Sequence, residues 1–289
     1  MLSKHARLWL GLIALLGLMS LASSCSKTEE PGETPSTGGE YKTTGNEGSI
    51  TGKINYTGTA PAPVKIDTSA DANCTKKSPD LVAEDWAVKD GKVANTFVYI
   101  KDGTLADGKK VGDYSYKPAG GAATLDQNGC HYKPHVMGVM VNQPISITNS
   151  DPTTHNVHFR PTKNPDWNQS QPNGAGPLSH KLAVSEVLVP VKCDQHPWMR
   201  AFIGVMKHPF FAVSAEDGSF TISGVPPGKY TVVAWHEGPG SGTEKTMEVT
   251  VAAKAPATAD FTFGASAELR GKPSSMPVVS AVEFPMLRK

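Results

Sequence analysis

The part of the sequence most able to do chemistry lies at residues 191–200. It offers a thiol, an imidazole and a thioether at positions n, n+3 and n+6, supplied by Cys193, His196 and Met199. Pro197 lies inside this run and disfavours a helix, and strand-like residues flank the run on both sides. The pattern therefore predicts a tight loop between two strands that can turn three donor side chains towards one point.

A second imidazole is available upstream, where His155 and His158 lie three residues apart. Residues three apart in a strand point to opposite faces, so we do not expect both histidines to reach one metal ion. Spacing alone does not choose between them. Two imidazoles, one thiolate and a weakly bound methionine form the ligand set of blue-copper electron-transfer sites. Zinc sites more often use Cys and His in pairs, and the sequence contains no Cys-x-x-Cys.

Both runs resemble the cupredoxin family. Residues 193–200 share the Cys-x-x-His-Pro-aromatic-Met-Arg ligand loop of the amicyanin-type cupredoxins, and residues 155–159 resemble the run that carries their upstream ligand. The resemblance covers about residues 128–207. The sequence departs from the family at Asn142 and Gln143, where Gly-Asp is usual, and in a Pro-, Asn- and Gln-rich insert at residues 161–178.

The resemblance implies a ligand set and an activity. His155, Cys193 and His196 would be the strong copper ligands and Met199 the axial one, while Asn156 would tie the two ligand loops together. The fold implied is a Greek-key β-sandwich with one type 1 copper that cycles between Cu(I) and Cu(II). Such a protein carries electrons and transforms no substrate, so we do not expect an enzyme.

An electron carrier also needs a surface for its partner. Pro197 and Trp198 are expected to form an apolar patch beside an exposed edge of His196. Redox partners use small interfaces for transient encounters, so this patch need not be large. The expected partner is another redox protein, such as a c-type cytochrome or a dehydrogenase.

Other functions fit parts of the same pattern. The protein could buffer or deliver copper without electron transfer, or it could be a surface-binding module that recognises carbohydrate or protein. A copper oxidase or nitrite reductase would need a further His-rich site, and the sequence has no His-x-His pair. A second, Met-rich copper site could use His131, His135, Met137, Met140 and Met206.

The cysteine count predicts one disulfide. The four cysteines are Cys25, Cys74, Cys130 and Cys193. If Cys25 is lipidated, three remain, and one pair with one free thiol is the simplest arrangement. Cys74 and Cys130 both lie in polar, turn-rich sequence, so we predict that they pair and leave Cys193 free for a metal. The alternative is that Cys193 pairs with one of them.

The N-terminus predicts export and lipid attachment. Lys4 and Arg7 precede an apolar run at residues 8–19, which is typical of a secretory signal peptide. Residues 21–25 resemble a bacterial lipobox ending at Cys25, with plain secretion as the alternative. We therefore expect a signal peptide at residues 1–24, a flexible linker at 25–48, and a lipid anchor that holds the chain to a bacterial membrane in the periplasm or at the cell surface.

Composition sets the fold class. The chain has 289 residues, with 28 Lys and Arg against 27 Asp and Glu, so its net charge is +1. It lacks the basic excess that is typical of nucleic-acid-binding proteins. Its 28 Gly and 23 Pro separate many short strand-like runs, and no stretch of twelve residues has a helical period. The sequence therefore predicts an all-β protein.

The strands divide into two expected units. Residues 218–230 resemble the carboxypeptidase regulatory-like (transthyretin-like) sandwich module, which usually opens with strands like those at residues 50–56 and 96–100. We expect this module at residues 49–115 with 210–263, split by a cupredoxin domain at 116–209. The alternative is that the early strands belong to the cupredoxin itself. The tail at residues 264–289 shows no pattern.

Overall fold

The computed structural model describes residues 39–118, 120–238 and 242–264. The expected signal peptide, Cys25, most of the expected linker and all but the first residue of the tail lie outside these ranges. Within the described residues, no helix combines the length and apolar character that crossing a bilayer requires.

The described chain is built almost entirely of strands, which confirms the all-β prediction. It has one short helix, α1 (Ala72–Lys77), and one 3₁₀ turn (Val111–Asp113). The strands are β1 (Gly48–Thr57), β2 (Val88–Lys89), β3 (Lys92–Val93), β4 (Phe97–Leu105), β5 (Ala123–Gln127), β6 (Tyr132–Lys133), β7 (Val136–Met140), β8 (Ile145–Asn149), β9 (His155–Phe159), β10 (Trp167–Gln171), β11 (Leu178–His180), β12 (Glu186–Lys192), β13 (Arg200–Met206), β14 (Phe211–Val213), β15 (Ser219–Val225), β16 (Gly228–His236), β17 (Thr243–Val251), β18 (Pro256–Thr258) and β19 (Phe261–Gly264).

These strands form four sheets. Sheet I has the order β15-β1-β3-β2, with β18 and β19 also paired to β1, and sheet II has the order β14-β4-β16-β17. Sheet III has the order β10-β9-β12-β13-β7, and sheet IV has the order β11-β8-β5-β6. Sheets I and II therefore draw their strands from both ends of the described chain, whereas sheets III and IV use only its middle.

Three apolar cores hold the four sheets together in the order I, II, III, IV. The first lies between sheets I and II, the second between sheets III and IV, and the third between sheets II and III. Alternation along β4 shows why sheet II is buried on both faces. Val98 and Ile100 enter the first core, while Phe97 and Tyr99 enter the third, as the two-residue period of a strand requires.

Two glycines allow sheets II and III to approach closely. Gly138 of β7 and Gly204 of β13 are paired in register, and the ring of Phe97 from sheet II lies over both. A Cβ atom at either position would clash with that ring. The missing side chains therefore make room for the Phe97 ring in the third core.

Part of the expected linker belongs to the folded region. The backbone N–H of Tyr41 donates to the carbonyl of Ser115 at 2.8 Å, and its ring packs on those of Tyr114 and Tyr116 at centroid distances of 5.5 Å. The described end of the 25–48 segment is thus held against the first core.

The strands around residues 155 and 193 fix the position of the predicted ligands. β9 pairs with β12, placing His158 opposite Lys192, and β12 pairs with β13, placing Lys192 opposite Arg200. The loop between β12 and β13 therefore begins beside β9. Val157 and Phe159 face the second core, so His155 shares their face and His158 points to the other.

Two buried histidines make the fold sensitive to acid. Burial lowers the pKa of His208 and of His236 to about 4, well below the usual value near 6.5 for an unfolded chain. Protonation below pH 6.5 therefore favours the unfolded state. Stability from these two groups is complete above that pH and is lost as pH falls towards about 4, with about 2 kcal/mol lost per group by pH 5.

His208→Asn tests this pH dependence. The Nδ1 atom of His208 accepts a hydrogen bond from the backbone N–H of Phe210 at 3.3 Å, and an asparagine oxygen can replace that acceptor. We expect the variant to be less stable than wild type at pH 7.5 and to recover about 2 kcal/mol of that difference at pH 5. Urea unfolding at the two pH values measures the change. An equal difference at both would show that His208 is not buried in its neutral form.

Candidate metal centre

Three donor side chains meet at the end of sheet III. The Nδ1 atoms of His155 and His196 are 2.9 Å apart, and the Sγ atom of Cys193 lies 3.6 Å from Nδ1 of His196. The three donor atoms all lie within 4.8 Å of one another. The residues His155, Cys193 and His196 are 0, 1 and 4 % exposed. Sequence positions 155 and 193–196 are therefore brought together in a closed cluster.

Each imidazole is oriented by a carboxylate on its far side. Nε2 of His155 lies 3.0 Å from Oδ2 of Asp151, and Nε2 of His196 lies 3.2 Å from Oδ2 of Asp71. An ionised carboxylate only accepts hydrogen bonds, so both Nε2 atoms carry a proton. The two Nδ1 atoms consequently face each other, and they need either a shared proton or a cation between them.

The ligand loop is closed by its own backbone. The N–H of Cys193 donates to the carbonyl of Met199 at 3.2 Å, and the N–H of Met199 donates to the carbonyl of His196 at 2.9 Å. Pro197 lies within this turn and prevents it from continuing as a helix. Met199 is fully buried in the second core, which also contains Cys193. The predicted fourth ligand thus lies in the same apolar cluster as the thiol.

Asn156 ties β9 to the ligand loop, as the resemblance implies. Its Oδ1 atom accepts hydrogen bonds from the N–H of Asp194 at 2.7 Å and from the thiol of Cys193 at 3.3 Å. Its Nδ2 atom donates to the side chain of Asn168 at 2.7 Å. Asn168 belongs to β10, a strand formed by the polar insert. The insert therefore supports the centre from outside.

The electrostatic environment favours a metal-binding thiolate. Burial by itself raises the pKa of the Cys193 thiol, but the hydrogen bond to His155 and nearby backbone N–H groups outweigh it and lower the pKa. Burial lowers the pKa of His155, yet the hydrogen bonds to Asp151 and Cys193 outweigh burial and raise the pKa to about 9. Burial and the charge of His155 lower the pKa of His196 despite Asp71.

The donor set fits copper. A thiolate is a soft donor suited to Cu(I), and neutral imidazoles suit both oxidation states. The paired Nδ1 atoms, 2.9 Å apart, show a place where a cation can replace a proton. His155, Cys193 and His196 could hold such an ion.

The prediction that an edge of His196 is exposed is wrong. The helix α1 covers this edge, and its N-capping residue, Asp71, forms a hydrogen bond with Nε2 of His196. Pro197 is exposed and Trp198 is half-buried. The Trp198 ring lies 5.1 Å from that of His196, and it lines a cavity of about 350 Å³ together with Pro197.

Among the described residues, the histidines and methionines expected at a second copper site have different surroundings. Nδ1 of His131 lies 3.2 Å from a carboxylate oxygen of Glu84, while His135 hydrogen bonds to Glu237. Met137 faces the second core and Met206 faces the third. Among the described residues, His131 and His135 share no metal-capable group, and Met137 and Met206 lie in different cores. With Met140, these residues therefore do not form the expected cluster.

The cysteines have separate roles. Cys74 and Cys130 form a disulfide with Cα atoms 5.6 Å apart, and Cys193 is free and buried. Cys193 therefore does not pair with Cys74 or Cys130, which was the alternative.

The structure separates the two upstream histidines, and mutagenesis can test that separation. Nδ1 and Nε2 of His158 lie 3.0 Å from Asp194 and Asp166, respectively, on the face away from Cys193. We expect His155→Gln to weaken copper binding by more than the roughly 100-fold that loss of an outer-shell partner costs. The matched variant His158→Gln should leave it within a few-fold of wild type. Chelator competition measures both, and a reversed order would exclude His155 as the ligand.

Sequence reasoning missed both outer carboxylates. The role of Asp151 could have been recognised from the sequence, because it lies only four residues before His155 in a loop that leads into β9. No sequence pattern could have indicated the role of Asp71, because it lies 125 residues from His196 in the chain.

Comparisons with known proteins give limited similarities. Residues 182–259 match the family model described as polysaccharide lyase family 4, domain II. That description differs from the carboxypeptidase regulatory-like module expected from the motifs, and the matched range runs from sheet III into sheets I and II. No curated protein matches the chain.

Several solved structures are similar to part of the chain. A reduced Cu(I) amicyanin variant is 23% identical over 31% of this chain and 91% of its own, with a TM-score of 0.27. A purple cupredoxin from Nitrosopumilus maritimus is 19% identical over 29% of this chain and 98% of its own, with a TM-score of 0.25. A copper-containing nitrite reductase from Thermus scotoductus SA-01 is 18% identical over 29% of this chain, with a TM-score of 0.26, and the match spans only 22% of its length.

Proposed function

We propose that this chain holds one copper ion on His155, Cys193 and His196, with Met199 as a weak fourth ligand, and passes single electrons. The observation that carries the proposal is the convergence of two Nδ1 atoms and one thiol within 4.8 Å of one another. When bound at such a site, copper supplies a one-electron change between Cu(I) and Cu(II).

The protein's own residues would keep the site rigid. Asp71 and Asp151 hold the two imidazole rings by their Nε2 atoms, and Asn156 holds the ligand loop against β9. A donor set fixed in this way changes little when the charge of the ion changes, so electron transfer requires little rearrangement.

Burial favours an electron carrier over a copper-delivery protein. Delivery requires an open site from which the ion exchanges readily. Here the three donors are 4 % exposed or less, and α1 covers the side on which His196 lies. The three proposed ligands are therefore enclosed by protein. This enclosure supports retention of the ion through many redox cycles.

The proposed setting is extracytoplasmic. Cys25 would carry a lipid that anchors the chain to a bacterial membrane, and the redox partner would dock at Pro197 and Trp198 beside the cavity of about 350 Å³. We further propose that residues 49–115 and 210–263 form one sandwich split by a second at 116–209. The origin of sheets I and II from both ends of the described chain supports this division.

Copper titration of the purified full-length chain in detergent tests the proposal. We expect one copper per chain, an intense visible absorption in the Cu(II) form, and reversible bleaching by a one-electron reductant. A pale Cu(II) form that exchanges rapidly with a chelator would instead indicate copper buffering. A chain that binds no copper would reject both functions.

A polysaccharide-binding module is the second candidate. The match of residues 182–259 to a domain of a polysaccharide lyase family favours it. Affinity electrophoresis through gels that contain polysaccharide would detect such binding, and Cys193→Ser should not alter it.

A further inference from the structure

One carboxylate links three separate segments at the covered side of the centre. Oδ1 of Asp71 accepts hydrogen bonds from the backbone N–H groups of Asn73 and Cys74 at 2.7 and 3.2 Å, so Asp71 caps α1. Oδ2 accepts from the hydroxyl of Thr153 at 2.7 Å and from Nε2 of His196 at 3.2 Å. Oδ1 therefore caps the helix, while Oδ2 contacts Thr153 and His196. The capping hydrogen bonds determine that Oδ2 is the oxygen that faces His196.

This contact determines which nitrogen of His196 is available. Because Oδ2 of Asp71 can only accept, Nε2 of His196 must carry the proton. Its Nδ1 atom then presents a lone pair towards His155 and Cys193, which is the form that binds a metal. A partner on the second ring nitrogen is the usual way in which proteins orient metal-binding histidines.

The disulfide holds the capping helix in place. Cys74 lies in α1, and Cys130 follows Gly129, whose N–H donates to Asp151 at 2.7 Å. The sulfur of Cys74 lies within 4.8 Å of donor atoms of Asp71 and His196, and the sulfur of Cys130 lies equally close to those of Asp151 and His155. The cross-link thus joins the helix that Asp71 caps to the segment that hydrogen bonds to Asp151.

We propose that Asp71 is a positioning residue of the metal centre, which selects the Nε2-protonated form of His196 and closes the site. This inference rests on the proposed copper site. Asp71 does not touch the ion and acts only through His196.

Asp71→Asn provides a sharp test because the helix cap dictates how the amide must point. Asparagine caps helices as well as aspartate does, and only its oxygen can accept from Asn73 and Cys74. Its NH₂ group must then face Nε2 of His196, where a donor opposes the Nε2–H form. We expect the proton to move to Nδ1 in the copper-free variant, and copper affinity to fall by about 10–100-fold.

Two further variants separate positioning from structure. Asp71→Ser keeps a helix cap but is too short to reach His196, so it should weaken copper binding less than Asp71→Asn. Asp166→Asn is the matched control, since Asp166 lies 3.0 Å from Nε2 of His158, which is not an expected ligand. It should leave copper affinity unchanged.

The experiment combines two measurements on the full-length chain labelled with ¹⁵N-histidine. Imidazole ¹⁵N shifts of the copper-free protein report the tautomer of His196, assigned with His196→Gln, and chelator competition reports the Cu(I) affinity. A change of tautomer and a loss of affinity in Asp71→Asn support the inference. Retention of Nε2–H with wild-type affinity overturns it, as does wild-type affinity in Asp71→Ser if Asp71→Asn fails to fold. Failure of wild type to bind copper rejects the proposed function, while the ¹⁵N shifts still decide the role of Asp71.

Discussion

Replacing Cys193 by serine is expected to abolish the intense visible absorption of the copper-loaded protein. That absorption requires charge transfer from a thiolate sulfur to Cu(II), and Cys193 is the only free cysteine among the described residues. A serine hydroxyl stays protonated and is a hard donor that suits Cu(I) poorly. Cu(I) affinity should fall by more than the roughly 100-fold cost of losing an outer-shell partner.

The same substitution should leave the fold intact. The thiol of Cys193 donates to Oδ1 of Asn156 at 3.3 Å, and a serine hydroxyl can make the same hydrogen bond. The copper-free variant should therefore unfold within about 1 kcal/mol of wild type in urea. A variant that keeps the intense absorption would show that the thiolate is not a ligand. A pale wild-type protein would make the substitution irrelevant and point to copper buffering.

The convergence of the donor side chains could be predicted from sequence because these residues lie in two short runs. Cys193, His196 and Met199 lie within seven residues, and the strands on either side leave only a loop between them. The choice of His155 over His158 follows from the two-residue period of β9, once Val157 and Phe159 are known to face the second core.

The surroundings of the centre could not be predicted because they depend on contacts between distant segments. α1 is only six residues long, too short for a helical period, and Asp71 reaches His196 across 125 residues. The prediction that an edge of His196 is exposed was wrong for this reason. β10 was missed because its polar residues lack an alternating apolar pattern, and it is held by pairing with β9.

Removing the disulfide is expected to have the largest effect on stability. Cys74 and Cys130 are 56 residues apart in the chain, and in the chain-entropy model a cross-link that closes such a loop stabilises the folded state by about 4 kcal/mol. The double variant Cys74→Ala/Cys130→Ala should lose about this much in urea unfolding of the copper-free protein. Cys193→Ala is the matched control, because it removes a buried cysteine that closes no loop. Equal losses would show that packing, rather than the cross-link, carries the effect.

The double variant should also open the metal centre. Without the cross-link, α1 is held by the contacts of Asp71 with Thr153 and His196 and by the hydrogen bond from the Ser78 hydroxyl to the carbonyl of Gly129 at 2.8 Å. Detachment of α1 would expose Nε2 of His196 to water and to chelators. We therefore expect copper to leave the variant faster than wild type, while the visible absorption that depends on Cys193 persists. Unchanged release would mean that these hydrogen bonds alone keep α1 closed over His196.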